Sequence, residues 1–92
     1  MLHPGIRLTV DGGGVVAAPS SPLEGRSAAS AFLTEALSAP AALRVEAVNG
    51  VAGVVQCVDG HVTGVLGLRS RGRLLVEGWL VVNPDKLMRW RC

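Results

Sequence analysis

Residues 73–87 read RLLVEGWLVVNPDKL, and this stretch sets the predicted fold. Its first ten residues carry seven apolar side chains, and Asn83-Pro84 ends the run. Because strands favour aliphatic and aromatic side chains and proline cannot extend a strand ladder, the pattern predicts a β-strand at 73–82. Its even-numbered side chains are apolar apart from Gly78, whereas the odd-numbered ones are mixed. We therefore expect one buried face and one partly exposed face.

Three further apolar runs precede this strand, at residues 43–48, 51–58 and 61–68, and short turns separate them. The turns are Asn49-Gly50, Asp59-Gly60 and Ser70-Arg71-Gly72. Asn-Gly and Asp-Gly between apolar runs are strong hairpin signals, so the sequence predicts an antiparallel meander. If the last loop has three residues with Gly72 left-handed, Gly64 lies opposite Gly78.

The N-terminal part of the chain predicts two short strands and one helix. Residues 6–10 form the first strand, the glycine-rich segment 11–14 forms a turn, and residues 15–18 return as the second strand. Residues 27–37 read SAASAFLTEAL. Alanine, leucine and glutamate favour helices, and serine is a good N-cap, so this segment predicts a helix that begins at Ser27.

The predicted fold class is therefore α+β, with one helix packed on an antiparallel sheet of about six strands. Gly53, Gly64, Gly67 and Gly78 fall inside predicted strands, where glycine commonly marks a bend or a bulge. We expect the sheet to be strongly curved and cone-like for this reason. A chain of 92 residues makes a single small domain, residues 1–92.

Composition narrows the classes of function. Hydrophobic residues make up 49% of the chain, and the mean hydropathy is +0.41. This content is more apolar than a small domain with a single core should need. Surplus apolar surface usually points to a partner. No apolar run is long enough to span a membrane and no signal peptide is evident, so we expect a cytoplasmic protein without membrane contact. Nine scattered basic residues against seven acidic ones predict no direct DNA binding.

The two cysteines, Cys57 and Cys92, match neither a disulfide framework nor a zinc spacing. We interpret Cys57 as a buried strand residue and Cys92 as a free thiol. The glycine-rich segment 11–14 matches no phosphate-binding fingerprint. The sequence accordingly predicts no metal site and no cofactor.

Two motifs carry a family resemblance. The first consists of Asp11, Gly12, Gly13 and Gly14, and the second of Asn83, Pro84, Asp85, Lys86 and Leu87. Together with a Pro-Leu-x-Gly step at 22–25 and Val48-Asn49-Gly50, they occur in the order and spacing of the C-terminal SnoaL-like domain of extracytoplasmic-function (ECF) sigma factors. The match extends over nearly the whole chain. We name residues 11–14 the DGGG motif and residues 83–87 the NPDKL motif.

The resemblance implies a fold similar to nuclear transport factor 2 and to SnoaL polyketide cyclases. It also implies a non-catalytic regulatory domain in which both motifs help to control the sigma core. The implied partners are the core domains of the sigma factor and, indirectly, RNA polymerase. In the NPDKL motif we expect Asp85 and Lys86 to be exposed charges and Leu87 to be an apolar anchor for docking.

The chain departs from the family pattern at several points. It has Val15 where the family usually has lysine, and Ala52 where the family often has proline. The sigma domains and the helical hairpin that normally begins the fold are absent. We therefore expect an N-terminally incomplete SnoaL-like domain.

The alternative is a SnoaL-like protein that binds a small molecule or acts as an isomerase or cyclase. The residues that could line its pocket are Gln56, His61, Thr63, Glu77 and Trp79. Acid–base chemistry needs a carboxylate or an imidazole held in a dry pocket, and His61, Glu77 and Glu46 are the candidates. None of them has a companion motif, so we do not expect an enzyme.

A homodimer is also expected. Without the helical hairpin, one short helix cannot cover both faces of the sheet. The apolar residues expected on one face are Val45, Val54, Val65, Trp79 and Val81, and those expected on the other are Leu66, Leu68, Leu74, Val76, Leu80 and Val82. Since tryptophan is enriched at the centres of interfaces, we place Trp79 near the middle of this contact.

Overall fold

The computed structural model describes residues 2–14, 18–19, 21–37, 42–48 and 50–92. The elements in chain order are β1 (Leu2–Asp11), β2 (Leu23–Glu24), α1 (Arg26–Ala36), β3 (Ala42–Val48), β4 (Val51–Val58), β5 (His61–Arg71), β6 (Leu74–Val81) and α2 (Pro84–Leu87). The strands form one mixed sheet in the order β2-β1-β6-β5-β4-β3. Within these ranges the α+β class, a sheet of six strands and one long helix agree with the prediction.

The antiparallel meander from β3 to β6 is confirmed, but one register differs from the prediction. Gly78 pairs with Leu68 rather than with Gly64, a displacement of four residues along β5. The last loop is shorter than expected because Arg71 pairs directly with Leu74, and Gly72 takes the positive φ of 62° that a two-residue turn needs. Because this displacement is even, the even-numbered residues of β5 and β6 still share a face from the bulge at Arg69 and Ser70 to the Val65–Val81 pair.

The first strand contradicts the prediction of a wholly antiparallel sheet, because β1 lies parallel to β6, with Leu8 opposite Gly78 and Asp11 opposite Val81. Parallel neighbours cannot be joined by a tight turn, and here the intervening chain makes the connection. The antiparallel neighbour of β1 is β2. Residues 15–17 lie outside the described residues, and they include Val15 and most of the strand predicted at 15–18. Ala18, the last residue of that prediction, is not in a strand.

Helix α1 begins one residue before the predicted start, and its N-cap is Gly25 rather than Ser27. Gly25 has a φ of 95°, which disfavours residues with a side chain, and its amide donates to the Ile6 carbonyl at 2.8 Å. This bond ties the start of the helix to β1. Ala29 is fully buried against the sheet as a result.

Two apolar cores lie on opposite faces of the sheet. The helix-face core comprises Ile6, Leu8, Ala29, Leu66 and Leu80, and the opposite-face core comprises Val48, Val55, Val65 and Leu87. The opposite-face core is covered by residues 83–92, which we call the C-terminal segment, through Leu87 and Trp90. Val54 and Gln56 were predicted on the face of Trp79, but Val54 packs against the helix-face core and Gln56 donates to the Ala36 carbonyl at the end of α1. That part of the face prediction is wrong.

The strong curvature predicted from the strand glycines is not observed, and the sheet is not curled. The bulges of the meander lie between Gln56 and Cys57, where Gln56 pairs with Gly64, and between Arg69 and Ser70. Gly53 has another role, since a β-carbon there would collide with the Leu66 carbonyl oxygen and with Val48. Glycine at this position therefore allows the Leu66 carbonyl and the Val48 side chain to lie close to the β4 backbone, and it does not bend the strand.

The predicted free thiols are wrong, because Cys57 and Cys92 form a disulfide with their Cα atoms 5.8 Å apart. The bond joins β4 to the last residue of the C-terminal segment. The segment is also held by Arg44, whose guanidinium donates to the Arg91 carbonyl at 2.7 Å. In the described part of the chain no helix is long and apolar enough to cross a membrane.

Candidate functional site: the junction of two motifs

The DGGG and NPDKL motifs meet at one end of the sheet. Each follows a strand end, since β1 ends at Asp11 and β6 ends at Val81, and these two residues are partners in a parallel pair. The segments that follow two parallel strands lie at the same end of the sheet. The Val82 amide donates to the Asp11 carbonyl at 2.9 Å and extends the pairing past the strand ends. We call residues 11–14 and 83–87 together the motif junction.

An ion pair links the two motifs. Lys86 Nζ lies 2.6 Å from Asp11 Oδ2, across a separation of 75 residues in sequence. The other carboxylate oxygen of Asp11 accepts from the Gly13 amide at 3.0 Å. The hydrogen bond from Lys86 is the main cause that lowers the pKa of Asp11 from its ordinary value of 3.8. Asp11 is therefore ionised at neutral pH and is fixed through both oxygens.

Asn83 fixes the start of the NPDKL motif. It is buried, and its side-chain oxygen accepts from the Asp85 amide at 3.1 Å, which caps α2. Pro84 occupies the first position of this short helix, where its missing amide hydrogen costs nothing. A β-carbon on Gly13 would overlap the Asn83 side chain, and Gly13 has a φ of 64°. Glycine at position 13 is thus required for the two motifs to touch.

The remaining motif residues have different surroundings. Gly12 is buried, whereas Gly14, Pro84 and Asp85 are exposed. Leu87 was expected to be an anchor for a partner, but it is buried in the opposite-face core of the domain itself. The surface that the junction offers is therefore polar, made of Asp85, Lys86 and exposed glycine backbone.

Of the five predicted pocket residues, Gln56 and Thr63 are hydrogen-bonded to each other, but the five do not form one pocket. Gln56 is buried on the helix-covered face and accepts from the Thr63 hydroxyl at 3.2 Å. Glu77 pairs with Arg69 at 3.0 Å. His61 lies exposed at the turn between β4 and β5, and Trp79 lies in a groove on the face away from the helix.

This groove has a volume of about 730 Å³ and runs from the motif junction between the sheet and the C-terminal segment. Its apolar walls are formed by Val48, Val51, Val65, Trp79, Val81 and Trp90. Thr9, Asp11 and Lys86 supply the polar groups. The acid–base candidates His61, Glu77 and Glu46 are not among the residues that line it. Within the described ranges, no cluster of histidine, cysteine and acidic side chains could hold a metal ion.

No family model, curated protein or solved structure matches this chain. The site is therefore defined by its own geometry and by the motifs. Sequence reasoning named the residues of both motifs but not their contact, and it missed Thr9, Val51 and Trp90 in the groove. One signal in the sequence was that each motif lies at the end of a strand, since two parallel strands place the segments that follow them at the same end of the sheet.

The ion pair predicts a specific pH dependence. A lowered pKa in the folded state means that Asp11 contributes stability above its unfolded pKa, and this contribution is lost as the pH falls through the folded pKa. Lys86→Ala should therefore be less stable than wild type at neutral pH. The difference should begin to shrink near the ordinary Asp pKa of 3.8 and should disappear only when the pH is below the lowered pKa of folded Asp11.

Carboxyl NMR titration of Asp11 measures the effect directly, and its midpoint should rise in Lys86→Ala. Asp85→Ala is the matched control, since Asp85 is exposed and bonds to Asn83 only through its amide. An Asp11 midpoint that is identical in wild type and Lys86→Ala would refute the ion pair.

Proposed function

We propose that this chain is a non-catalytic regulatory domain of the SnoaL-like type that controls the core domains of an ECF sigma factor. The observation that carries the proposal is the motif junction. The resemblance assigns regulation to two motifs far apart in sequence, and these motifs form one polar surface. A shared surface is what a single binding partner would need.

The chemistry of the junction suits recognition rather than catalysis. Lys86 has 63% of its side chain exposed while Asp11 holds its ammonium group, and Asp85 beside it is exposed. The Asn83 cap and the bonds of Asp11 fix the backbone that carries these charges. A preorganised pair of opposite charges gives orientation and specificity to a protein contact.

The proposal places the domain in the cytoplasm, next to RNA polymerase. Cytoplasmic thiol systems keep most cysteines reduced. In that state the C-terminal segment would be held by the burial of Leu87, the packing of Trp90 and the bond from Arg44 to Arg91. The contacts between the two motifs do not involve the disulfide, because they join Lys86 with Asp11 and Asn83 with Gly13.

Binding to sigma core domains tests the proposal. The chain should bind the helical core domains of an ECF sigma factor of the resembled group in isothermal titration calorimetry. Lys86→Glu and Asp85→Lys should each weaken this binding by about tenfold or more, since charge reversal places like charges together at the contact.

The matched control is Glu24→Arg, which reverses one charge of the exposed Arg7–Glu24 ion pair away from the junction. It should leave the binding unchanged. The absence of binding by the folded wild-type chain would contradict the proposed function, as would equal effects of the junction variants and the control.

The groove supports one alternative, a SnoaL-like small-molecule-binding protein. Its volume is within the range of ligand pockets, and Trp79 and Trp90 give it aromatic walls. An apolar ligand that enters the groove should change the tryptophan fluorescence and raise the melting temperature. Trp79→Ser should abolish both effects if the ligand lies in the groove.

A further inference from the structure

Strand β3 is an edge of the sheet with an unusual lack of protection. In the strand order it ends the sheet after β4, and in the described part of the chain no strand pairs with its outer side. Its seven residues pair with β4 without a register shift, whereas the other pairs of the meander contain bulges. Natural edges are commonly blocked by proline, charged side chains, bulges or very short strands. Residues 42–48, ALRVEAV, contain no proline, and their two charges, Arg44 and Glu46, are of opposite sign.

The opposite edge of the sheet is different. Strand β2 has only two residues, and a very short edge strand is one of the ways in which natural sheets block an edge. The exposed apolar side chains also favour β3, since Val45 is 82% exposed and Leu43 is 53% exposed. Both are large apolar groups on an edge strand that is long enough to form a full ladder.

The charges of β3 suit pairing with a copy of itself. Arg44 and Glu46 lie on either side of Val45 and form an ion pair at 2.7 Å along the strand. In an antiparallel pair centred on Val45, Arg44 of each copy lies opposite Glu46 of the other. Opposite charges in directly opposed positions stabilise a strand pair.

We propose that β3 pairs in antiparallel fashion with β3 of a second copy, about a twofold axis at Val45. The two six-stranded sheets then form one continuous sheet. On one face Val45 meets Val45 of the second copy and Leu43 lies opposite Ala47, while Arg44 and Glu46 form two ion pairs on the other face. Closed twofold pairing is the commonest arrangement of identical subunits.

The register is specific. A shift by two residues in one direction places Arg44 opposite Arg44, and a shift in the other direction places Glu46 opposite Glu46. Repulsion between like charges therefore disfavours both shifted registers. A shift by one residue would bring apolar side chains against the charged face. This self-complementarity is the reason for choosing a second copy of the chain over an unrelated extended peptide.

Sedimentation velocity over a micromolar concentration range tests the proposal on the full chain. Wild type should dimerise, and Val45→Lys should be monomeric because two lysines would meet at the axis. Arg44→Glu and Glu46→Arg should each weaken dimerisation by about tenfold, since each creates two like-charge contacts. The double variant Arg44→Glu/Glu46→Arg should restore it.

Two further variants complete the experiment. Glu24→Arg at the other edge should dimerise like wild type. Val45→Cys should form an intermolecular disulfide under mild oxidation, because directly opposed residues in antiparallel strands have Cα atoms ~5 Å apart. Circular dichroism establishes that each variant is folded.

A wild-type monomer throughout the concentration range would overturn the proposal. So would a dimer that survives Val45→Lys, or a double variant as weak as the single ones. Loss of the dimer in Trp79→Ser but not in Val45→Lys would place the contact on the sheet face and would also overturn it. A cross-link in Val45→Cys together with rescue by the double variant supports it.

Discussion

Replacing Cys92 by serine is expected to lower the free energy of unfolding of the oxidised domain by about 4 kcal/mol. The disulfide joins residues separated by 35 positions, and it restricts the unfolded chain as well as fastening the C-terminal segment to β4. A loss of this size is a large fraction of the stability of a small domain. Urea denaturation followed by circular dichroism measures it.

The control is the same measurement with a dithiol reductant, which converts the disulfide to two thiols and is itself oxidised. Wild type and Cys92→Ser should then have nearly equal stability, because neither chain is cross-linked. An oxidised wild type that is no more stable than Cys92→Ser would show that the bond does not form in solution.

The second large effect is expected for Leu87→Ala, which should cost about 3 kcal/mol. Leu87 is buried against Val48, Val55 and Val65, so truncation leaves a cavity between the C-terminal segment and the sheet. The same change should loosen the NPDKL motif, since Leu87 is its last residue. Urea denaturation gives the stability, and amide hydrogen exchange of residues 83–92 gives the local effect.

Met88→Ala provides the matched control, because Met88 is the next residue and is 73% exposed. It should change stability by less than about 0.5 kcal/mol. Similar losses for the two variants would mean that Leu87 does not pack on the sheet.

Local signals in the sequence predicted most of the sheet. The Asp59-Gly60 turn is a good example, since both residues have the positive φ that a tight hairpin requires, 51° and 80°. The final hairpin was placed four residues out of register, because Ser70-Arg71-Gly72 allows loops of two lengths and the bulge after Arg69 leaves no mark in the sequence. The Asn49-Gly50 turn includes Asn49, which lies outside the described residues.

Contacts between distant segments could not be predicted in this way. The parallel pairing of β1 with β6 and the Cys57–Cys92 bond each join residues whose spacing carries no local pattern. The sequence predicts the NPDKL motif as a docking element, although its Leu87, together with Trp90, covers the opposite-face core. This cover reduces the apolar surface that motivated the dimer through Trp79, which remains a prediction.

In the candidate site, too, the sequence identified residues but not the contacts between distant segments. The resemblance named the residues of both motifs, but their meeting depends on the parallel register of Asp11 with Val81 and on the absence of a side chain at Gly13. Neither condition can be inferred from a motif alone. Of the predicted pocket residues, Gln56 and Thr63 are hydrogen-bonded, whereas Trp79 lies on the face away from the helix and His61 lies at a turn.

A double-mutant cycle on binding to the sigma core domains tests the central claim, that the DGGG and NPDKL motifs act as one unit. Asp11→Asn, Lys86→Met and the double variant are compared by calorimetry, with Arg7→Met and Glu24→Gln as the control cycle. We predict that each junction variant weakens binding and that the double variant is no weaker than the worse single one, because both remove the same contact. Strictly additive losses would contradict the account, and so would unchanged binding in folded variants.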